Sequence, residues 1–153
     1  MRSLELKVPP PIVAAVAAGG MGALARWTPV IALPAGLRGT LAALLVAAGL
    51  AIALAGVREF RRARTTVHPL RPERASALVD GGIYRITRNP MYLGMLAVLL
   101  GWAAWLAAPW ALLGPAAFVA FIGRFQIAPE ERALRQLFGA AYAAYTQRVR
   151  RWI

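Results

Sequence analysis

Residues Gly39–Val57 read GTLAALLVAAGLAIALAGV, nineteen positions without a single charge. At a rise of ~1.5 Å per residue that run forms a helix of roughly 28 Å, the thickness of a bilayer core. Three further apolar runs flank it: Pro9–Ala25, Met91–Ala108 and Pro109–Ile127, the last interrupted only by Arg124 and Gln126. Each is 17 to 19 residues long, enough for one crossing. Pro9–Ala25 also has the basic flank of a signal peptide, but no small-residue cleavage site follows it. Arg26-Trp27 reads instead as an interfacial anchor, so the run is taken as a spanning helix. The sequence therefore predicts an all-α polytopic membrane protein with about four transmembrane helices and a C-terminal cytoplasmic amphipathic segment.

Composition agrees. Of 153 residues 59% are hydrophobic, above the roughly 45–50% of soluble domains. Without cysteine, disulfides and thiolate chemistry are excluded, and the lone histidine, His68, excludes a histidine-cluster metal site. The length suits one membrane-embedded domain over 1–153. It divides into two packing helices (1–57), a cytoplasmic loop (58–89), and a helical hairpin with C-terminal helices (90–153). Ala14, Ala18 and Gly22 on the first helix, and Ala43, Ala47, Ala51 and Ala55 on the second, form small-residue ridges that suit close packing in lipid.

The net charge of +12 would suggest nucleic acid in a soluble chain, but here its placement already has a cause. Arg58, Arg61, Arg62, Arg64, Arg71, Arg74, Arg85 and Arg88 follow the second run. Arg132, Arg135, Arg148, Arg150 and Arg151 follow the fourth, and the connection around Ala107–Trp110 has none. By the positive-inside rule both termini and the long loop are cytoplasmic. Lys7 is the only lysine; arginine in its place, with abundant Ala, Gly and Pro, has the look of a GC-rich bacterial genome and a bacterial cytoplasmic membrane.

This topology brings two polar groups to one interface. Ile86–Met95, ITRNPMYLGM, opens the third helix there, and Arg124, Gln126, Glu130 and Glu131 return to it at the end of the fourth. Pro129, with two acids behind it, reads as the start of a new helix. Leu134, Leu137, Phe138, Ala141, Tyr142 and Tyr145 recur along it at helical spacing. Gly139 weakens its middle, so that it divides into two short helices. Such a segment either lies on the membrane or folds over the helix ends as a lid. Plainer readings stand beside these: Pro90 as a helix start, Tyr92 as an aromatic-belt residue, and Glu130 and Glu131 as first-turn acids. His68 reads as a loop residue and Asp80-Gly81-Gly82 as a turn.

Leu78–Gly94 (LVDGGIYRITRNPMYLG), followed by Glu130-Glu131, Leu134, Phe138-Gly139, Tyr142, Tyr145 and Arg148-Val149, resembles the isoprenylcysteine carboxyl methyltransferase family, related to the phospholipid N-methyltransferases. The likeness runs from about Thr65 to Ile153. It implies an integral membrane enzyme that uses S-adenosylmethionine, with no metal. By motif match Tyr84, Asn89, Pro90, Tyr92, Leu93 and Gly94 line the cofactor site, with Glu130 and Glu131 as its acids. Tyr142 and Tyr145 close it, and Arg88, Glu130, Glu131 and Arg148 are the candidate catalytic groups. A carboxylate can hold the cofactor ammonium or ribose, and an arginine can grip its carboxylate in two-pronged fashion.

The resemblance thus points to methylation of a lipid-like or small hydrophobic acceptor at the cytoplasmic interface. A carboxylate acceptor needs no general base, and no dedicated base stands out, which favours an acid over an amine. A phospholipid N-methyltransferase and a non-enzymatic membrane scaffold are the alternatives. The expected partners are the bilayer and that substrate, without nucleic acid.

Overall fold

The computed structural model describes residues 4–65, 73 and 75–153; His68, Arg71 and Arg74 lie outside the described residues. Among these the chain forms five α-helices and no strand: α1 (Pro10–Trp27), α2 (Ala35–Arg62), α3 (Pro90–Leu106), α4 (Leu113–Ile122) and α5 (Ala128–Arg148). Pro10 and Pro90 occupy the first turns of α1 and α3, where a missing N–H leaves no hydrogen bond unmade. Short 3-10 turns cover Gly82–Arg85 and Pro109–Leu112. α2 runs five residues past the expected end at Val57, so Arg58, Arg61 and Arg62 are helical rather than part of a loop.

The helices are apolar outside as well as inside. Met21, Leu99, Phe118 and Ile122 are buried, yet Val16, Leu44 and Leu54 are 71%, 63% and 68% exposed. A helix apolar all round needs apolar surroundings, and α2 and the run Pro109–Arg148 are long and apolar enough to cross a membrane. α3 is a shorter apolar helix.

Glycine sets the principal helix contact, between α2 and α3. A Cβ built on Gly49 would stand 2.5 Å from the Gly94 carbonyl oxygen, and one on Gly94 would stand 2.5 Å from that of Gly49. Seven residues along each helix the pattern repeats, with Gly101 against Val46 and Gly56 against Pro90. This corrects the expected pairing of α1 with α2. Ala43, Ala47 and Ala51 face outward, because α2 turns its glycines rather than its alanine ridge to a partner. The ridge on α1 does face inward but meets α3 and α4. Trp102 Nε1 donates to the Ala18 carbonyl at 3.1 Å, and Met21 packs directly on Gly114.

α5 begins at Ala128 with Pro129 in its first turn, as the sequence suggested, but it continues the preceding helix without a break. The 3-10 turn, α4, a π turn at Gly123–Ile127 and α5 join into one run of 40 residues. Proline at 129 cannot donate to the carbonyl four residues earlier, that of Phe125. The Leu6 N–H donates to it instead, at 3.0 Å. Glu5 adds ion pairs to Arg124, at 3.1 Å, and to Arg132, fastening the N-terminal segment across the π turn. Gly139, with φ 47° and ψ −119°, interrupts α5 where the sequence suggested, and its second half turns back toward Tyr84.

Gly94→Leu therefore forces α2 and α3 apart and costs about 1–3 kcal/mol of stability. Gly19→Leu, whose new Cβ meets nothing within 4 Å, leaves the melting temperature in detergent unchanged.

Candidate active site

The segment before α3, the start of α5 and the C-terminal tail converge at one end of the helices. Residues 87–89 are laced to the tail: the Arg88 N–H donates to the Arg150 carbonyl at 3.1 Å, and Asn89 Nδ2 to that of Arg151 at 2.8 Å. The Thr87 hydroxyl donates to the Arg151 carbonyl at 3.4 Å and accepts the Asn89 N–H at 3.1 Å. Asn89 thus caps the tail and makes no side-chain bond to its own helix.

Glu131 locks this arrangement. Arg151 grips it with Nε to Oε1 at 3.0 Å and Nη2 to Oε2 at 2.6 Å, and Arg88 Nη2 adds an ion pair at 3.1 Å. The two-pronged bond raises the Arg151 pKa above its ordinary value, chiefly through hydrogen bonding to Glu131. Arg88 and Glu131 side chains are each only 12% exposed. Even so, Arg88 Nε is buried and finds no acceptor among the described residues.

Glu130, the next residue, has a different environment. Its Oε1 accepts the Tyr92 hydroxyl at 2.6 Å and Gln126 Nε2 at 2.7 Å, both neutral donors, and among the described residues no cation pairs with it. The π turn lies just before it, and such turns recur at functional sites. The two adjacent acids are therefore unlike: Glu131 is paired with two arginines, whereas Glu130 is held only by neutral donors and burial pushes its pKa up to about 7.

An aromatic layer covers this floor. Tyr84, Tyr142 and Tyr145 are buried with Val149, and the Tyr145 hydroxyl donates to the Tyr84 carbonyl at 2.8 Å. Phe60 of α2 meets Tyr84 edge-on at 5.5 Å, and burial raises the pKa of the Tyr84 phenol. Beside Tyr145 a cavity of about 380 Å³ is lined by Asp80, Arg85, Arg148 and Val149, with Arg148 and Asp80 3.6 Å apart at its exposed rim.

The sequence-derived residues thus sort into four groups. Arg88, Tyr92, Glu130 and Glu131 form the buried polar floor, while Tyr84, Tyr142 and Tyr145 form the cover. Pro90 and Gly94 face α2 and serve helix packing, and Leu93 is half-buried. Arg148 stands at the rim. Sequence reasoning missed Arg151 and Thr87, hidden in arginine-rich and turn-like contexts, and the Arg148 contact of Asp80, read only as a turn residue. Nothing local signals the contacts to Arg151 and Asp80, which span 20 residues or more, whereas Thr87 accepts the Asn89 N–H two residues on.

Comparison with known proteins gives a phospholipid methyltransferase family match over residues 37–141. An uncharacterised protein of Haemophilus influenzae is 48% identical over 63 residues, all of that protein and 41% of this chain. Protein-S-isoprenylcysteine O-methyltransferase B of Arabidopsis thaliana is 36% identical over 91 residues, 58% of this chain and 45% of the plant protein. A probable protein-S-isoprenylcysteine O-methyltransferase of Oryza sativa subsp. indica matches equally, with 46% of its length covered. The chain thus spans less than half the length of these plant relatives. No solved structure gives a significant match. With more than half of its length inside the family match, the chain belongs to the phospholipid methyltransferase family.

Proposed function

We propose that this protein is an S-adenosylmethionine-dependent methyltransferase whose site lies at the cytoplasmic membrane interface. Its domain 1–153 would cross the membrane four times, through α1, α2, α3 and the first half of the Pro109–Arg148 run, with both termini and the 58–89 connection cytoplasmic. A bacterial membrane is the proposed location. The arginine distribution supports the orientation, and the outward apolar faces support the spans.

The observation that carries the reading is a pair of complementary needs on one buried floor. Glu130 is a carboxylate without a cation, and Arg88 Nε is a donor without an acceptor. Burial pushes the Glu130 pKa up to about 7, which an adjacent cation would offset, and an unpaired buried donor is costly; a ligand bearing an ammonium and a carboxylate answers both. The amino-acid end of S-adenosylmethionine is such a ligand, so the residues present fit it. When bound, it supplies a methyl group on a sulfonium. Glu130 would hold the ammonium, Arg88 would orient the carboxylate, and Tyr84, Tyr142 and Tyr145 would exclude water and keep the reacting atoms aligned. Glu131 would act as a positioning residue through Arg88. Arg148, at the rim, would meet the acceptor.

The acceptor is a lipid-like or small hydrophobic molecule, and a carboxylate suits a floor with no imidazole among the described residues. The family match to phospholipid methyltransferases favours a second reading, an amine headgroup. Radiolabelled methyl transfer to short isoprenoid acids and to phosphatidylethanolamine separates the two: incorporation into the acid alone supports the first, and into the amine alone the second.

Calorimetric titration with S-adenosylhomocysteine tests cofactor binding. Wild type is expected to bind at roughly micromolar concentration, and Glu130→Gln to weaken this at least about tenfold with the melting temperature unchanged or raised. Absence of binding by folded wild type overturns the proposal and leaves a scaffold role ahead. Glu131→Gln behaves differently, lowering stability by about 2 kcal/mol. That is below the roughly 3–5 expected for a fully buried pair, because Arg151 is 42% exposed.

A further inference from the structure

The end of the helices remote from Glu130 carries its own unmet requirement. No acidic residue occurs between Glu5 and Glu59 or between Asp80 and Glu130, so Arg26 and Arg38 have no carboxylate near them in sequence. Arg38 lies in the opening turns of α2, where the positive end of the helix dipole disfavours a cation. Its guanidinium sits over the Trp105 ring, 5.3 Å from the centroid, and its Nε is buried with no acceptor among the described residues.

Both arginines line a cavity of about 730 Å³ between α1, α2 and α3. A second cavity of about 540 Å³ shares Ala18, Trp102 and Trp105 with it and runs down between α1 and α2 to Val46 and Leu99. The gap exists because α1 packs on α3 and α4 while α2 packs mainly on α3. Apart from the indole nitrogens, the lower slot offers apolar side chains and glycine, with the rings of Trp102 and Trp105 at its top. Its upper mouth offers two guanidiniums and the aromatic rings of Trp27 and Trp105. Volumes of this size lie in the range of built ligand sites.

We infer that this cleft binds one anionic phospholipid of the bilayer leaflet at that end, with its phosphate on Arg38 and Arg26 and an acyl chain in the slot between α1 and α2. Guanidiniums hold phosphate by charge and by paired N–H donors. A soluble anion would leave the apolar slot unfilled, and a zwitterionic lipid would bring an ammonium beside its phosphate and so no net counter-charge to the two arginines. The inference is independent of the methyltransferase reading, since no residue of the cleft takes part in the proposed active site.

The full chain in neutral detergent is titrated with phosphatidylglycerol, and separately with phosphatidylcholine of the same chains, following tryptophan fluorescence and melting temperature. Phosphatidylglycerol is expected to saturate at a concentration at least about tenfold lower and to raise the melting temperature. Arg38→Gln removes that preference while S-adenosylhomocysteine binding stays as in wild type. Gly19→Leu, which projects into the upper cavity from a position with open space, blocks both lipids. Equal response to the two lipids, or wild-type titration by Arg38→Gln, overturns the inference. Should Arg38→Gln not fold, unchanged phosphatidylglycerol affinity in Gly19→Leu does so.

Discussion

Glu131 sits where three distant stretches of the chain must meet, and the architecture at that end depends on its two arginines. Arg88 comes from the approach to α3 and Arg151 from the extreme tail, 63 residues later. Without a shared anion these guanidiniums would repel each other across the same small volume. With it, residues 87–89 and 150–151 come close enough for their backbones to be joined by hydrogen bonds. The tail then passes beneath the tyrosine layer, and Glu130 is left enclosed beside Tyr92 and Gln126. One acid is consumed by structure, so that the neighbouring acid can stay uncompensated.

The rest of the molecule is built on a different force. In an apolar medium there is little to gain from hiding leucine, so helices associate by close backbone approach. Gly49 against Gly94 is the tightest instance, with Gly56 and Gly101 continuing it in both directions. The outer leucines of α2 stay free to face lipid. Because α2 is committed to α3, α1 must find its partners elsewhere, and the cleft between α1 and α2 is a consequence of that choice.

Much of this was legible beforehand, for physical reasons. Long uncharged runs such as Gly39–Val57 declare themselves, Pro90 marks a helix start, and Gly139 marks the break in α5. The nearness of Tyr92 to Glu130 followed from counting crossings. Helix pairing was not legible in the same way: a small-residue ridge is necessary for close approach, but α2 has two such faces and only packing chooses between them. The clamp at Glu131 escaped because Arg151 belongs to a run of arginines with an adequate topological explanation. Continuity through Pro129 escaped as well, since the donor that makes it tolerable comes from Leu6, 119 residues upstream of Phe125.

The π turn at Gly123–Ile127 governs the angular phase of everything after it. A π turn holds one residue more than an α turn, and in an α-helix each residue advances the side-chain direction by about 100°. Wound as plain α-helix, the same sequence would rotate α5 by that angle about its own axis. Glu131 would then swing away from Arg88, and Glu130 away from Tyr92, with no residue replaced. The division of labour between two chemically identical neighbours is thus written in the winding of the backbone, and the Leu6 strap across that turn holds the winding in place.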